Sequence, residues 1–90
     1  MARVIVTIRI MPESPEQDLN AIEQEAVKEL KTLGLEFGKK EVQPIAFGLN
    51  ALIIYAIQDE ALGSLNIEER LSKIEGVNSV EVIDVRRAVG

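Results

Sequence analysis

The carboxylates Glu23, Glu25 and Glu29 lie close enough along the chain to suggest a metal or acid–base cluster, and Asp59-Glu60 offers a second acidic pair. On a helix the first three fall mainly on the solvated side, and Asp59-Glu60 lacks the alternating oxygen ligands of a calcium loop. No metal site is expected at either. Lys39-Lys40 follows Gly34 and Gly38 but precedes no helix start, so the phosphate cradle of a P-loop is missing. Cysteine and histidine are both absent, which removes thiol nucleophiles, disulfides, the usual zinc sites and imidazole acid–base chemistry. The chain is therefore not expected to be an enzyme or to carry a cofactor.

Two features resist a purely structural account. Arg86-Arg87 places paired positive charge near the end of an acidic chain, where an exposed guanidinium can grip a carboxylate or phosphate of a partner or be tethered by a local acid such as Asp84. The other is the stretch Pro44-Ile45-Ala46-Phe47-Gly48-Leu49, which spends one of only two phenylalanines beside a turn glycine. Phe47 can fold back over the hairpin or protrude as the rigid aromatic anchor that protein interfaces use. Tyr55 reads as a sheet residue and Met11 as a filler at a strand end.

These residues need elements to position them. Val4, Val6, Ile8 and Ile10 alternate with Arg3, Ile5, Thr7 and Arg9, a period of two that marks a half-buried strand. Pro12 to Pro15 break it. Ser14, followed by Pro15 and Gln17, predicts a capped helix start. From there Leu19, Ile22, Ala26, Leu30 and Leu33 recur at helical steps over about five turns, and Gly34 fits a left-handed stop. The stretch from Leu35 to Ile45 is of mixed polarity and contains Pro44, which lacks a ladder donor, so it suits an edge strand. Phe47-Gly48 then reverses the chain into the apolar run Leu49 to Ile57, an inner strand. Gln58 to Gly63 read as a loop. Ile67, Leu71 and Ile74 form a second helical stripe ending before Gly76, capped by Ser64 or by Asn66 with Glu69. Val77 to Val85 read as the last strand and residues 86 to 90 as a short tail.

The order βαββαβ predicts an α+β plait, the ferredoxin-like fold: a four-stranded antiparallel sheet in order 4-1-3-2 with both helices on one face. The free face should carry Ile5, Thr7 and alternate residues of Leu49 to Ile57, a half-apolar surface of the kind that meets partners. Ninety residues suffice for a single domain, residues 1 to 90, with one modest core. The apolar fraction of 47% and charged fraction of 28% are those of a soluble globular protein, and no apolar run approaches the roughly 20 residues that span a bilayer. The N-terminus shows no small-residue cleavage site, so no secretory signal and a cytoplasmic location are expected. A net charge of −5 with fifteen scattered acids argues against direct nucleic-acid binding and favours a basic partner surface.

Three separated segments, VIVTIRIMPESPEQDL, PIAFGLNAL and IEGVNSVEVIDVRR, resemble in order and spacing the archaeal elongation factor 1-beta family over essentially the whole chain. The resemblance implies the ferredoxin-like exchange domain alone, without the longer N-terminal region of eukaryotic members. It also implies guanine-nucleotide exchange on elongation factor 1-alpha, the partner in its GDP-bound and nucleotide-free states. In that family the aromatic of the FG turn contacts the GTPase, which carries over to Phe47 with Gly48 beside it and Pro44 at the base of the turn. Eukaryotic members also place a lysine near the C-terminus that reaches the magnesium region. This chain has no lysine after Lys73, so the resemblance leaves Arg86 or Arg87 as the substitute cation, or a wedge that works without one. The alternative is an ACT-like small-molecule-binding regulatory module, which shares the βαββαβ order. Gly76-Val77 after the second helix fits it, whereas the PIAFGL turn has no role there. A metallochaperone plait is excluded by the missing cysteines.

Overall fold

The computed structural model describes residues 2–62 and 65–88. It contains β1 (Arg3–Pro12), α1 (Leu19–Leu33), β2 (Glu36–Pro44), β3 (Asn50–Asp59), a 3-10 turn (Glu60–Leu62), α2 (Ile67–Leu71) and β4 (Val77–Ala88). The strands form one antiparallel sheet in the order β2-β3-β1-β4. This is the 4-1-3-2 plait that the periodicity predicts, with the prolyl strand β2 at one edge.

The alternation in β1 decides how the sheet faces. Val6 lies opposite Ala56, Ile8 opposite Ile54 and Ile10 opposite Leu52, and all six join Ile22, Ala26 and Leu30 of α1 and Ile67 and Leu71 of α2 in one buried cluster. The i, i+4 spacing of Ile22, Ala26 and Leu30 keeps them on a single stripe of α1. Gly34, at φ 97°, closes the helix as expected. The Leu35 amide donates to Leu30 O at 2.8 Å, the long reverse bond of a left-handed cap.

Several boundaries differ from the sequence reading. The helix starts at Leu19 rather than near Ser14 and makes about four turns. Its cap is Asp18, whose carboxylate accepts from the Asn20 amide at 2.9 Å and the Ala21 amide at 3.4 Å. Ser14 instead begins a turn, its carbonyl accepting from the Gln17 amide at 3.3 Å. Residues 14 to 18 offer the core no apolar side chain, so nothing holds them in helical register. The helix α2 has only five residues, and Asn66 makes no side-chain capping bond. Glu69 therefore has no capping partner there, and Ser64 lies outside the described residues. Ile74 follows in a turn, with its amide on Leu71 O at 3.1 Å, yet it still packs on the core. A helical stripe thus identifies the side that is buried and not the length of the helix. Gln58 and Asp59 extend β3 rather than opening a loop, and Gly63 lies outside the described residues.

Strand β4 continues through the region read as a tail, because β1 begins at Arg3 and supplies a ladder as far as Ala88. Within this ladder Thr7 lies opposite Asp84 and Ile8 opposite Val82, so Ile83 is an extra residue at a β-bulge.

The helix-free face carries Ile5, Thr7, Ala51, Ile53, Tyr55 and Ile57 as expected, but it is not an open apolar patch. Thr7 and Ile53 are each only 6% exposed and Ala51 is fully buried. Long charged side chains cover them: Arg3 pairs with Glu36 at 3.0 Å, Arg9 pairs with Glu81, and Lys39 reaches Glu41 at 3.4 Å. The Lys39 ammonium also sits 4.8 Å from the centre of the Tyr55 ring. Aliphatic stems roof the apolar residues while the charges stay wet.

Two substitutions test this packing. Leu30→Ala removes a fully buried side chain and is expected to cost about 2–5 kcal/mol, read as a lower urea midpoint. Gly38 sits at an irregularity of β2, and a Cβ there would lie 2.8 Å from the Tyr55 carbonyl oxygen. Gly38→Ala is therefore expected to lower the midpoint as well, through displacement of the edge strand.

Candidate functional site

The β2–β3 hairpin ends in the pair Pro44 and Asn50. Beyond it the Ile45 amide donates to Leu49 O at 2.7 Å and the Leu49 amide to Ala46 O at 3.2 Å, which closes a four-residue turn with Phe47 and Gly48 at its centre. Both central residues have positive φ, 59° and 76°, the pairing used by hairpin turns whose twist matches the flanking strands. Glycine adopts this backbone freely; phenylalanine does so at a steric cost. Among the described residues Phe47 is the one non-glycine with positive φ.

The turn geometry separates the two readings of Phe47. Its side chain does not fold over the hairpin: the residue is 95% exposed. Val42, at 52%, and Ile45, at 41%, are also exposed in this hairpin, so apolar side chains besides the aromatic reach solvent toward its tip. Pro44 is exposed in the same segment. Sequence reasoning passed over Val42 and Ile45. The available signal was their place in an edge strand beyond the reach of either helix stripe.

Arg86 and Arg87 lie at the other end of the sheet. Arg86 is opposite Ile5 and Arg87 opposite Val4, so they project from opposite faces. The Arg86 Nε donates to Asp84 Oδ2 at 2.8 Å, the local tether considered above. Arg87 donates through Nε and Nη2 to the two carboxylate oxygens of Glu60, both at 2.7 Å. The residues are 27 apart in the chain, and no local pattern links them. The site residues therefore form two groups, with Phe47, Gly48 and Pro44 beyond the Asn50 end of β3 and the arginines near its Asp59 end. At about 3.3 Å per residue, the strand between these ends spans about 30 Å.

The remaining chemistry-bearing residues are held in structural pairs. Glu23 pairs with Lys40, Glu25 with Lys28 at 3.5 Å, and Glu29 with Arg70 at 3.5 Å. Asp59 caps the 3-10 turn by accepting from the Ala61 amide at 2.9 Å. Lys39 and Lys40 point to opposite faces of β2, one toward Tyr55 and the other toward α1. Among the described residues, every buried side-chain nitrogen and oxygen has a hydrogen-bond partner, and no group of three or more acidic side chains converges on a metal-sized site. Nor is any helix among them long and apolar enough to cross a membrane.

The candidate residues thus comprise exposed apolar side chains at one end of the sheet and ion-paired guanidinium groups at the other. The architecture is similar to the solution structure of the C-terminal domain of the MgtC protein from Mycobacterium tuberculosis, with a TM-score of 0.62 over 97% of this chain and 88% of that one. At 12% identity this likeness concerns the fold alone. Among curated proteins, elongation factor 1-beta of Methanothermobacter thermautotrophicus is 47% identical over 88 residues, 97% of this chain and 98% of the relative. The factor of the same name from Archaeoglobus fulgidus is 41% identical over 94% of this chain and 97% of its own length. That from Metallosphaera sedula is 39% identical over 97% of each. Residues 5–88 match the model of the EF-1 guanine nucleotide exchange domain, and with full-length relatives at this identity the chain belongs to that family.

Proposed function

We propose that this chain, acting as a single exchange domain in the cytoplasm, accelerates the replacement of GDP by GTP on elongation factor 1-alpha. The observation that carries the reading is the strained and exposed Phe47, at φ 59° and 95% exposure, in a family named for guanine nucleotide exchange. An isolated folded domain gains nothing from an apolar side chain held in water on an unfavourable backbone. A partner that receives the ring supplies the gain.

The mechanism is one of differential affinity. An exchange factor shifts its partner by binding the nucleotide-free form more tightly than the GDP-bound form, and by linkage GDP then leaves more readily. No bond is made or broken in the factor, so it is not an enzyme in the chemical sense. Contacts about 30 Å apart let a rigid sheet press on two parts of one GTPase. Phe47, with Gly48 and Pro44 shaping the turn, inserts at one, and an arginine of β4 approaches an anionic group at the other. Neither nucleic acid nor a membrane is required. The small-molecule regulatory reading shares the element order and Gly76-Val77 but gives the exposed Phe47 no role.

The release rate of a fluorescent GDP analogue from elongation factor 1-alpha, measured with increasing amounts of the chain, tests the proposal. Acceleration by the wild type is expected, and its absence with a folded, active GTPase would falsify the exchange reading. Burying a phenylalanine is worth about 1.5–3 kcal/mol, so Phe47→Ala should weaken acceleration by roughly ten- to a hundredfold. Phe47→Gly should lose acceleration to a similar degree while its thermal stability is unchanged or rises by up to about 1 kcal/mol, because glycine relieves the left-handed backbone. Parallel loss of stability and exchange in that variant would instead assign Phe47 a packing role. Charge reversal at both Arg86 and Arg87 is expected to slow exchange, and unchanged kinetics would remove the arginines from the contact.

A further inference from the structure

We infer that Glu60 is a positioning residue for exchange: it holds Arg87 on the helix side of the sheet and leaves Arg86 as the cation that β4 presents to an anionic oxygen pair of the GTPase. The inference rests on the exchange reading above. The two arginines, adjacent in sequence, are not equivalent in the fold. The Nε and Nη2 of Arg87 form a two-pronged pair with both oxygens of Glu60, at 2.7 Å each, so this edge of the guanidinium is occupied. Arg86 uses only Nε, toward Asp84 at 2.8 Å. Its Nη1 and Nη2 have no partner among the described residues, and its side chain is 78% exposed. A terminal guanidinium edge of this kind offers two parallel donors to a carboxylate or a phosphate.

Glu60 is itself well mounted. It is the first residue of the 3-10 turn, and its amide donates to the Ala2 carbonyl at 3.0 Å. The preceding residue, Asp59, lies opposite Arg3 at the end of the central pair of strands and caps the turn. The carboxylate that receives Arg87 is thus anchored to β3 and β1 together, and through it the last residues of edge strand β4 gain a fixed point beyond their ladder with β1. Because the two arginines lie on opposite faces, fixing Arg87 on one side sets the direction of Arg86 on the other.

The test compares Glu60→Gln, Arg87→Gln, Arg86→Gln and the exchanged pair Glu60→Arg with Arg87→Glu, in GDP-release assays titrated to separate complex affinity from maximal rate. Arg86→Gln should lower the maximal rate at least about tenfold, as expected for loss of a charged contact made in the exchanging complex. Glu60→Gln and Arg87→Gln should each lower it by a smaller and equal factor, about three- to tenfold, and the exchanged pair should restore it to within about twofold. Binding to GDP-loaded and to empty GTPase tests the target of Arg86: Arg86→Gln should weaken the complex with the empty form, as an oxygen pair of the GTPase requires, whereas a loss confined to the loaded form identifies a phosphate of GDP, a contact that opposes release, and overturns Arg86 as the exchange cation. If Glu60→Gln leaves exchange unchanged or raises it, Glu60 merely sequesters Arg87 and the inference is overturned. It is equally overturned if Arg87→Gln is the more severe variant and the exchanged pair does not restore the rate, since Arg87 would then touch the partner itself. Amide hydrogen exchange reads the clamp without the GTPase: in Glu60→Gln the amides of residues 85 to 88 should exchange at least about tenfold faster while those of Val6 and Ile54 keep their protection. Unchanged protection at 85 to 88 overturns the clamp even where exchange activity stands. A wild-type chain that fails to accelerate GDP release overturns the exchange reading and the role of Glu60 with it, whatever the amides do.

Discussion

The register of β1 against β3 is the constraint from which the other elements follow. A slip of one residue would turn Val6, Ile8 and Ile10 away from the helices and drive Thr7 and Arg9 into the core. Burying an unpaired guanidinium is far costlier than exposing three aliphatic side chains, so one pairing dominates. With it fixed, α1 and α2 have a single apolar surface on which to lay their stripes, and β2 and β4 are assigned to the two edges. The same register lines up Arg9 with Glu81 across β4 and Lys39 with Tyr55 across β2, which lets charged side chains roof the helix-free face. The central strands β1 and β3 are sheltered on both sides by different means, an apolar layer on one and a layer of ion-paired stems on the other, while the edge strands leave Val42 and Val85 exposed.

This division explains where the protein can meet a partner. A sheet face roofed by paired charges is already satisfied and gains little from a second protein. The ends of the strands are different, because there the ladder stops and side chains lose their cross-strand neighbours. The hairpin carries Val42, Ile45 and Phe47 past the helices into solvent, while the opposite end gathers Arg86, Arg87, Asp84 and Glu60. Candidate contacts are pushed to the poles of a body measuring 42 × 21 × 17 Å, and a stiff sheet couples them geometrically without any moving part.

Much of this was legible in the sequence because period-two alternation and long apolar runs report directly on burial. The four strands, the edge position of β2, the stop at Gly34 and the reversal at Phe47-Gly48 all follow from patterns contained within a few residues. Features that depend on distant residues did not. Ser14 has the local signature of a cap, but a helix needs an apolar side chain to anchor its first turn, and the first is Leu19. The stripe of Ile67, Leu71 and Ile74 indicated the buried side of that segment without revealing that its regular helix is five residues long. The roofing of the free face requires knowing which charge sits across from which strand. At the candidate site, the turn containing Phe47 was evident while the direction of its ring was not, since protrusion and folding back use the same residues. The grip of Glu60 on Arg87 spans 27 positions and leaves no trace in either neighbourhood.

The extra residue at Ile83 acts as a change of phase in β4. Between the strand's two register shifts, even-numbered residues face the helices: Val80 meets Ile10 and Val82 meets Ile8. After Ile83, odd-numbered residues do, with Val85 meeting Val6 and Arg87 meeting Val4. An uninterrupted strand of the same composition would direct Arg87 to the roofed face and Arg86 toward the helices, out of line with Asp84's present side and with Glu60 beside the wrong arginine. The bulge therefore encodes which cation the charged pole shows on each side: a ladder that took Ile83 in opposite Thr7 would keep every residue and charge, yet turn Asp84 and Arg86 toward the helices and Arg87 away from them.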